Sequence, residues 1–181
     1  NNIEAIKDFN LKINKGEIIG IKGQIGTGKT TLVNLLTRMY DTTKGEILID
    51  GQPIKDFDIN TLRKSIACVP QDVFLFSDTI KNNIAFSTNK QFTDEEIIKA
   101  AKDAGVYDNI MSFPNGFDTV VGERGVTLSG GQKQRISIAR AFIKKPDIVI
   151  LDDALSAVDT STEQSILSFF DHSLRDKTTI V

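Results

Sequence analysis

The residues best suited to chemistry in this 181-residue sequence form a glycine-rich stretch near its beginning. Residues 23 to 30 read Gly-Gln-Ile-Gly-Thr-Gly-Lys-Thr and match the pattern G-x-x-x-x-G-K-[ST]. Glycines let backbone amides converge on phosphate oxygens, because no Cβ stands in the way. The pattern predicts a phosphate-binding loop in which Lys29 reaches the β- and γ-phosphates of a nucleotide and Thr30 ligates magnesium.

The elements on either side of this loop fit that interpretation. A strand is predicted over residues 17–22, and a helix over 29–40. The positive end of the helix dipole would point at the same phosphate oxygens. We therefore assign nucleotide binding to the loop and the first helical turn: Gly23, Gln24, Ile25, Gly26, Thr27, Gly28, Lys29, Thr30 and Thr31.

A second acidic motif follows an apolar strand. Residues 148–151 read Ile-Val-Ile-Leu and are followed by Asp152 and Asp153. In a phosphate-loop fold, we expect this strand to lie beside the strand that feeds the loop. Asp152 would then stand near the magnesium ion. Asp153 would point toward the γ-phosphate, where an attacking water must be oriented.

A third motif predicts another anion site. Residues 128–132 read Leu-Ser-Gly-Gly-Gln and precede a long helix that ends before Pro146. Small residues and free amides at a helix N-terminus bind anions, and Ser129 can both cap the helix and contact a phosphate.

This third motif resembles the signature of ABC ATPases, and the other motifs follow in that family's order. The resemblance implies that Ser129, Gly130, Gly131 and Gln132 contact ATP held in trans by the loop of a partner domain. Gln71 is similar to the glutamine that contacts magnesium and the attacking water, which makes Asp153, Gln71 and Lys29 the expected catalytic residues. Metal ligation falls to Thr30, Gln71 and Asp152. Residues 156–159 resemble the segment that crosses the dimer interface.

The cofactors and partners expected from the resemblance are specific. ATP and Mg²⁺ are the cofactors, and a second nucleotide-binding domain is the partner in a homodimer or a heterodimer. Residues 71–84 and 122–125 resemble the exporter branch, in which such domains contact a transmembrane domain at the cytoplasmic face of the membrane. The chain looks cut at both ends, so we expect the adenine-stacking aromatic and the switch histidine to lie outside it. We expect His172 to be a surface residue.

Three positions depart from the family pattern, and one of them, Val120, stands where many exporters carry glutamate before Val-Gly-Glu-Arg-Gly. Asp153 stands where the family usually has glutamate, which shortens the side chain by one methylene, or roughly 1.5 Å. We expect the site formed by this chain's own loop to bind ATP and hydrolyse it slowly, as in the weaker half of heterodimeric exporters. Ile25 replaces a small hydroxyl residue, with a modest expected effect.

Strands and helices alternate at both ends of the chain, around a helical middle. Strands are predicted at 9–13, 45–50, 66–69 and 178–181, and helices around Leu62, at 93–104 and at 161–174. With the resemblance, this implies an α/β fold of the P-loop NTPase (RecA-like) type. It has a parallel sheet core, a small antiparallel β part and an inserted α-helical subdomain. We expect one domain over 1–181, with a catalytic core at 1–72 and 138–181 and a helical subdomain at 73–137.

Composition excludes several other classes. The net charge of −2 and the mixing of acidic and basic residues argue against nucleic-acid binding. No apolar run reaches the roughly 20 residues that cross a bilayer. Cys68, the single cysteine, lies in an apolar run and is expected to be buried and inert. The alternatives are an ABC ATPase of DNA maintenance or of the ribosome, and a nearly non-hydrolytic regulatory domain.

Overall fold

The computed structural model describes residues 5–24, 26–86, 91–122, 127–154 and 177–181. Several predicted features lie outside these ranges: Ile25, residues 123–125, residues 156–159, the helix over 161–174, and His172. In chain order the strands are β1 (Ile18–Ile19), β2 (Leu48–Ile49), β3 (Gln52–Pro53), β4 (Ile66–Val69), β5 (Ile148–Leu151) and β6 (Thr178–Ile180). The α-helices are α1 (Lys29–Leu36), α2 (Ile59–Ser65), α3 (Ile80–Ile84), α4 (Asp94–Asp103), α5 (Tyr107–Met111) and α6 (Gly130–Phe142).

The larger sheet is parallel and has the strand order β1-β6-β5-β4. Its two longest strands, β4 and β5, pair over four residues each, with Cys68 opposite Ile150. Because all four strands run in the same direction, their carboxyl ends share one edge of the sheet. The phosphate loop, Gln71 and Asp152 all follow strand ends at that edge.

The expectation that the acidic strand neighbours the strand feeding the loop is wrong. Strand β6 lies between them, and Thr179 pairs with Ile18 on one side and with Val149 on the other. The last strand of the chain therefore occupies a central place in the sheet. Strand order depends on long-range pairing, which the local pattern of residues 178–181 does not encode.

Alternating side chains on β4 and β5 build two separate cores, one on each face of the sheet. Ala67, Val69, Val149 and Leu151 join the core beneath α6, together with apolar residues of α3, α4 and α5. The opposite core contains the intervening residues of the same strands with Leu62 of α2, and the apolar side of α1 packs against it. The sheet is thus covered by helices on both faces, as an α/β fold requires.

The small antiparallel part is a hairpin formed by β2 and β3. Its turn residues Asp50 and Gly51 have φ angles of 51° and 79°. Positive φ at both central residues is the signature of a type I′ turn, for which Asp-Gly is a preferred pair. The Asp50-Gly51 dipeptide itself therefore accounts for the turn.

The helical middle is also confirmed. Thr93 and Glu96 form a capping box in which the Thr93 side chain accepts from the Glu96 amide and the Glu96 carboxylate accepts from the Thr93 amide. The helix α4 that they start packs against α6. None of the helices within the described ranges is long and apolar enough to cross a membrane.

Two local predictions differ from the structure. Residues 9–13 alternate in hydrophobicity but do not form a strand, and Phe9 and Leu11 are about half exposed. A strand requires a hydrogen-bonding partner, which an alternating pattern alone does not supply. Helix α1 ends at Leu36 rather than near Tyr40, since Arg38 has a φ of 48°, outside the helical region.

Candidate functional site

The phosphate loop joins β1 to α1 and needs glycine at Gly28. Gly28 has a φ of 91°, and a Cβ built on it would lie 2.6 Å from the carbonyl oxygen of Ala5. Gly26 also has a positive φ, of 84°, but a Cβ there would meet open space. The conformation therefore excludes side chains at Gly28 on two grounds, backbone strain and steric overlap.

Lys29 places its ammonium inside this loop. Its Nζ donates hydrogen bonds to the carbonyl oxygens of Gly23, at 2.5 Å, and of Gln24, at 3.0 Å. The Thr27 hydroxyl also donates to the Gln24 carbonyl, at 2.8 Å. These bonds hold the Lys29 ammonium over the loop, at the point where the backbone amides of the first turn of α1 begin.

The first turn of α1 adds uncapped amides to the same place. Its N-cap is Gly28, which offers no side-chain acceptor, and no acidic residue stands in the first turn. The first backbone amides of a helix have no intrahelical partner and carry partial positive charge. Together with the Lys29 ammonium they form a site for an anion with several oxygens. This arrangement fits a nucleotide triphosphate.

The two acidic residues stand directly after β5. Asp152 is partly buried, and its backbone amide donates to the carbonyl of Val69 on β4 at 3.0 Å.

Burial raises the pKa of the neighbouring Cys68 thiol to about 11, and the negative charge of Asp152 adds to this rise. Cys68 is therefore mainly the neutral thiol, but it is only partly buried, so the full burial expected from its apolar run is not found.

Gln71 and Asp153 meet across the ends of β4 and β5. The Gln71 side-chain amide donates to Asp153 Oδ2 at 3.1 Å, and both side chains are exposed. Asp153 has a φ of 49°, in the left-handed region that aspartate tolerates better than most residues. Two of the three expected catalytic residues are thus in direct contact.

The metal-ligating residues expected from the sequence have the donor chemistry that Mg²⁺ prefers. A partly buried carboxylate at Asp152, the exposed hydroxyl-bearing Thr30 and the amide of Gln71 supply oxygen ligands. Magnesium commonly binds through one or two carboxylates with substrate phosphates and waters, so this donor set fits the ion. Within the described ranges, no group of three or more His, Cys, Asp and Glu residues forms a dedicated metal site.

Ser129 begins α6 with a capping box of its own. Its Oγ accepts from the Gln132 amide at 3.2 Å, and its amide donates to the Gln132 side-chain carbonyl at 3.0 Å. Ser129 and Gly130 are exposed. Since Oγ serves as acceptor in the cap, its own proton can still be donated to an outside oxygen. The serine thus meets the accessibility that an intermolecular contact requires.

Sequence reasoning missed Arg140 and Asn83. Arg140 donates to the carbonyls of Phe74 and Asn83, and Asn83 is only 1% exposed. The available signal was the position of Arg140 inside the apolar run from Ile136 to Ile143, where a charge is unusual.

The glycine-rich loop and its lysine lie at the edge of a parallel sheet, and the ends of two strands at that edge carry Gln71 and two aspartates. This combination defines an ATP-binding domain of the phosphate-loop class. The family model described as ABC transporter matches residues 6–156. The chain therefore belongs to the ABC transporter family, and it is an ATPase domain of that family.

Individual relatives agree with this assignment. A multidrug export ATP-binding/permease protein of Staphylococcus aureus (strain NCTC 8325) is 52% identical over all 181 residues. A similarly described protein of S. aureus (strain bovine RF122) is 51% identical. The chain spans 31% of the length of each of these relatives. The solved structure of a bacterial Atm1-family ABC exporter with ATP bound matches 91% of this chain and 29% of its own, with 47% identity and a TM-score of 0.86.

Proposed function

We propose that this chain powers an ABC exporter by closing on ATP together with a second nucleotide-binding domain. The observation that carries the proposal is the exposure of Ser129 at a helix N-terminus, separate from the loop that holds Lys29. We expect each anion site to contact only part of a triphosphate. Two domains arranged head to tail would each offer a loop to one ATP and a serine to the other.

Within one such site, the residues of this chain divide the work. The loop amides and the Lys29 ammonium neutralise the phosphate charge that develops during transfer to water. Gln71 and Asp153 face the γ-phosphate and orient the attacking water, with Asp153 as the proton acceptor. Bound magnesium, held by Thr30, Gln71 and Asp152, would supply further charge neutralisation between the phosphates.

The site formed by this chain's own loop hydrolyses ATP slowly. Asp153 is one methylene shorter than the usual glutamate, and a misplacement of about 1 Å can cost on the order of 100-fold in rate. The chain would then lend an intact Ser129 to a faster site on its partner, or serve in a slow homodimer.

The membrane partner is supported by an exposed aromatic surface. Phe74, Phe76 and Phe86 are 52%, 38% and 46% exposed. The rings of Phe76 and Phe86 are stacked at 4.4 Å, and Phe74 meets Phe76 edge to face at 5.0 Å. Contiguous exposed apolar groups indicate a binding surface. We assign this cluster to contact with a transmembrane domain at the cytoplasmic face of the membrane.

We infer from the sequence that this one domain has two parts: a catalytic core at residues 1–72 and 138–181, and a helical subdomain at residues 73–137. The core beneath α6 supports a tight junction between them, since it contains Val69 and Leu151 of the sheet with Ile80 and Ile110 of the helical part.

Hydrolysis of radiolabelled ATP by the full-length protein in lipid vesicles tests the function. We expect ATP-dependent export with hydrolysis, and loss of the contribution of this site in Lys29→Ala. Equal hydrolysis and export by Lys29→Ala and the unchanged protein would contradict the proposal. Hydrolysis without any export would instead favour an ABC ATPase outside transport.

A further inference from the structure

Arg140 is held by an unusual set of contacts on α6. Its Nε donates to the Asn83 carbonyl at 2.7 Å, its Nη1 to the Phe74 carbonyl at 2.9 Å and its Nη2 to the Asn83 side-chain oxygen at 3.0 Å. All three of these acceptors are neutral oxygens. Burial lowers the pKa of this guanidinium to about 10. A charge placed in such surroundings costs free energy, so its contacts must offset that cost.

The residues to which Arg140 is hydrogen-bonded form one rigid unit. Asn83 is buried, and its Oδ1 also accepts from the Phe76 amide at 2.8 Å. Its Nδ2 donates to the carbonyls of Phe76 and Thr79, each at 3.0 Å. Leu75, which lies between Phe74 and Phe76 in the chain, is fully buried. The backbone from Phe74 to Thr79 is therefore fixed to α6 through Arg140 and Asn83.

Gln71 lies just before this fixed unit. On its other side the chain is held at Val69, which pairs with Leu151 and accepts from the Asp152 amide at 3.0 Å. Only residues 70–73 lie between the two anchors. The contact of Gln71 with Asp153 depends on both anchors. Because the segment between them is short, release of either end would shift Gln71, which lies within it.

Arg140 also stands against the aromatic cluster. Its guanidinium carbon lies 5.8 Å from the ring centre of Phe76 and 5.9 Å from that of Phe86, within the range of a cation–π contact. Ser129, eleven residues earlier, is the N-cap of the same helix. One side chain thus joins the helix of the second anion site to the segment that carries Gln71.

We propose that Arg140 is a positioning residue for ATP hydrolysis, which fixes the Gln71 segment to α6 and so sets the place of Gln71 opposite Asp153. Arg140 acts on the reaction only through Gln71. The inference therefore rests on the proposed role of Gln71 in orienting water. Lysine cannot replace it, because a single ammonium cannot bind three separate acceptors in the fixed geometry of a guanidinium.

The test is a double-mutant cycle in the full-length protein, with ATP turnover and the KM for ATP measured in lipid vesicles for the site formed by this chain's own loop, any second site being inactivated at its loop lysine. Arg140→Lys should lower kcat about 10- to 100-fold, with KM within about twofold, because the phosphate loop is untouched. In a Gln71→Ala background, Arg140→Lys should lower kcat no further. A purely structural role would give the same fold-loss in both backgrounds and would overturn the inference.

The control is another half-buried arginine that binds loop carbonyls. Arg38 donates to the Phe57 carbonyl at 2.8 Å, far along the chain from Gln71. Arg38→Lys should leave kcat within about twofold while its thermal unfolding shifts as much as that of Arg140→Lys. An equal loss of kcat in the two variants would attribute the effect to general destabilisation and contradict the proposal.

Two further outcomes separate this inference from the function on which it rests. If Gln71→Ala alone leaves kcat unchanged, the proposed role of Gln71 fails, and the route assigned to Arg140 fails with it. If Gln71→Ala lowers kcat, and Arg140→Lys causes its full loss of kcat in the Gln71→Ala background as well, only the inference on Arg140 fails. Should Arg140→Lys not fold, Arg140→Met fills similar space without a charge, and wild-type kcat in that variant would refute the proposal.

Discussion

The side-chain amide of Gln71 donates a hydrogen bond to the carboxylate of Asp153, with 3.1 Å between Nε2 and Oδ2. This bond joins the ends of β4 and β5, two neighbouring parallel strands. It places a group that can orient water beside a group that can accept its proton.

Asp153→Asn should remove the proton acceptor while keeping the backbone intact. Asparagine tolerates the φ of 49° at this position about as well as aspartate does. We expect kcat at this site to fall by at most about 10²-fold, because a positioned base contributes roughly 10²- to 10⁴-fold and the short side chain already forfeits about 100-fold of that. ATP binding and the melting temperature should stay unchanged. An unchanged rate in single-turnover measurements would show that Asp153 does not act as the base.

Asp153→Glu should raise turnover at this site, because the longer side chain restores the usual reach toward the water. The left-handed backbone at this position opposes the gain, since a longer side chain is less tolerated there, at a cost of roughly 1–2 kcal/mol. We therefore expect faster ATP hydrolysis in the assembled dimer together with a lower melting temperature. If the rate does not change, the slow-site proposal is wrong.

Gly28→Ala should abolish nucleotide binding, and Gly26→Ala should weaken it much less. Both glycines have positive φ, so both variants carry backbone strain. Only at Gly28 does the new methyl group overlap a backbone atom, at 2.6 Å from the Ala5 carbonyl oxygen. Titration with a fluorescent ATP analogue compares the two. Similar affinities for both variants would refute the steric explanation.

Ser129→Asp separates capping from phosphate contact. Aspartate caps a helix as well as serine does, so the stability of α6 should be preserved. Its negative charge, however, would repel the γ-phosphate brought by a partner domain. We expect an unchanged melting temperature and loss of ATP-dependent association. Ser129→Ala serves as the control, with a loss of about 1 kcal/mol in stability from the missing cap. Normal association of Ser129→Asp would place the serine outside the interface.

Cys68 should react slowly with iodoacetamide in the folded domain. With a pKa of about 11, only ~0.1% of the thiol is ionised at pH 8, and the thiolate is the reactive form. The rate should rise about tenfold per pH unit up to the neighbourhood of pH 11. In the unfolded chain it should level off near the ordinary thiol pKa of about 8.5. Mass spectrometry of the alkylated peptide measures both, and a plateau near pH 8.5 in the folded domain would contradict the burial of the thiol.

The motifs and most of the elements could be predicted from the sequence because their signals are local. The capping box at Thr93 and the turn at Asp50-Gly51 depend on residues close together in the chain. The position of β6 between β1 and β5 could not be predicted, since pairing of Thr179 with Val149 is a long-range choice.

The candidate site shows the same division. The loop around Lys29 is contiguous in the chain, so its motif alone identifies it. The contact between Gln71 and Asp153 joins positions that are 82 residues apart, and it needed the sheet to bring them together. Arg140 was missed because its partners, Phe74 and Asn83, lie far away in the chain and offer only backbone and amide oxygens.

Retention of a radiolabelled, non-hydrolysable ATP analogue by the full-length protein after rapid gel filtration tests the central claim most directly. If Lys29 and Ser129 grip nucleotide from two domains, Lys29→Ala and Ser129→Asp should each reduce the retained analogue. A homodimer should lose all of the bound analogue, and a heterodimer should lose about one of its two bound molecules. Full retention in Ser129→Asp, beside loss in Lys29→Ala, would contradict the account.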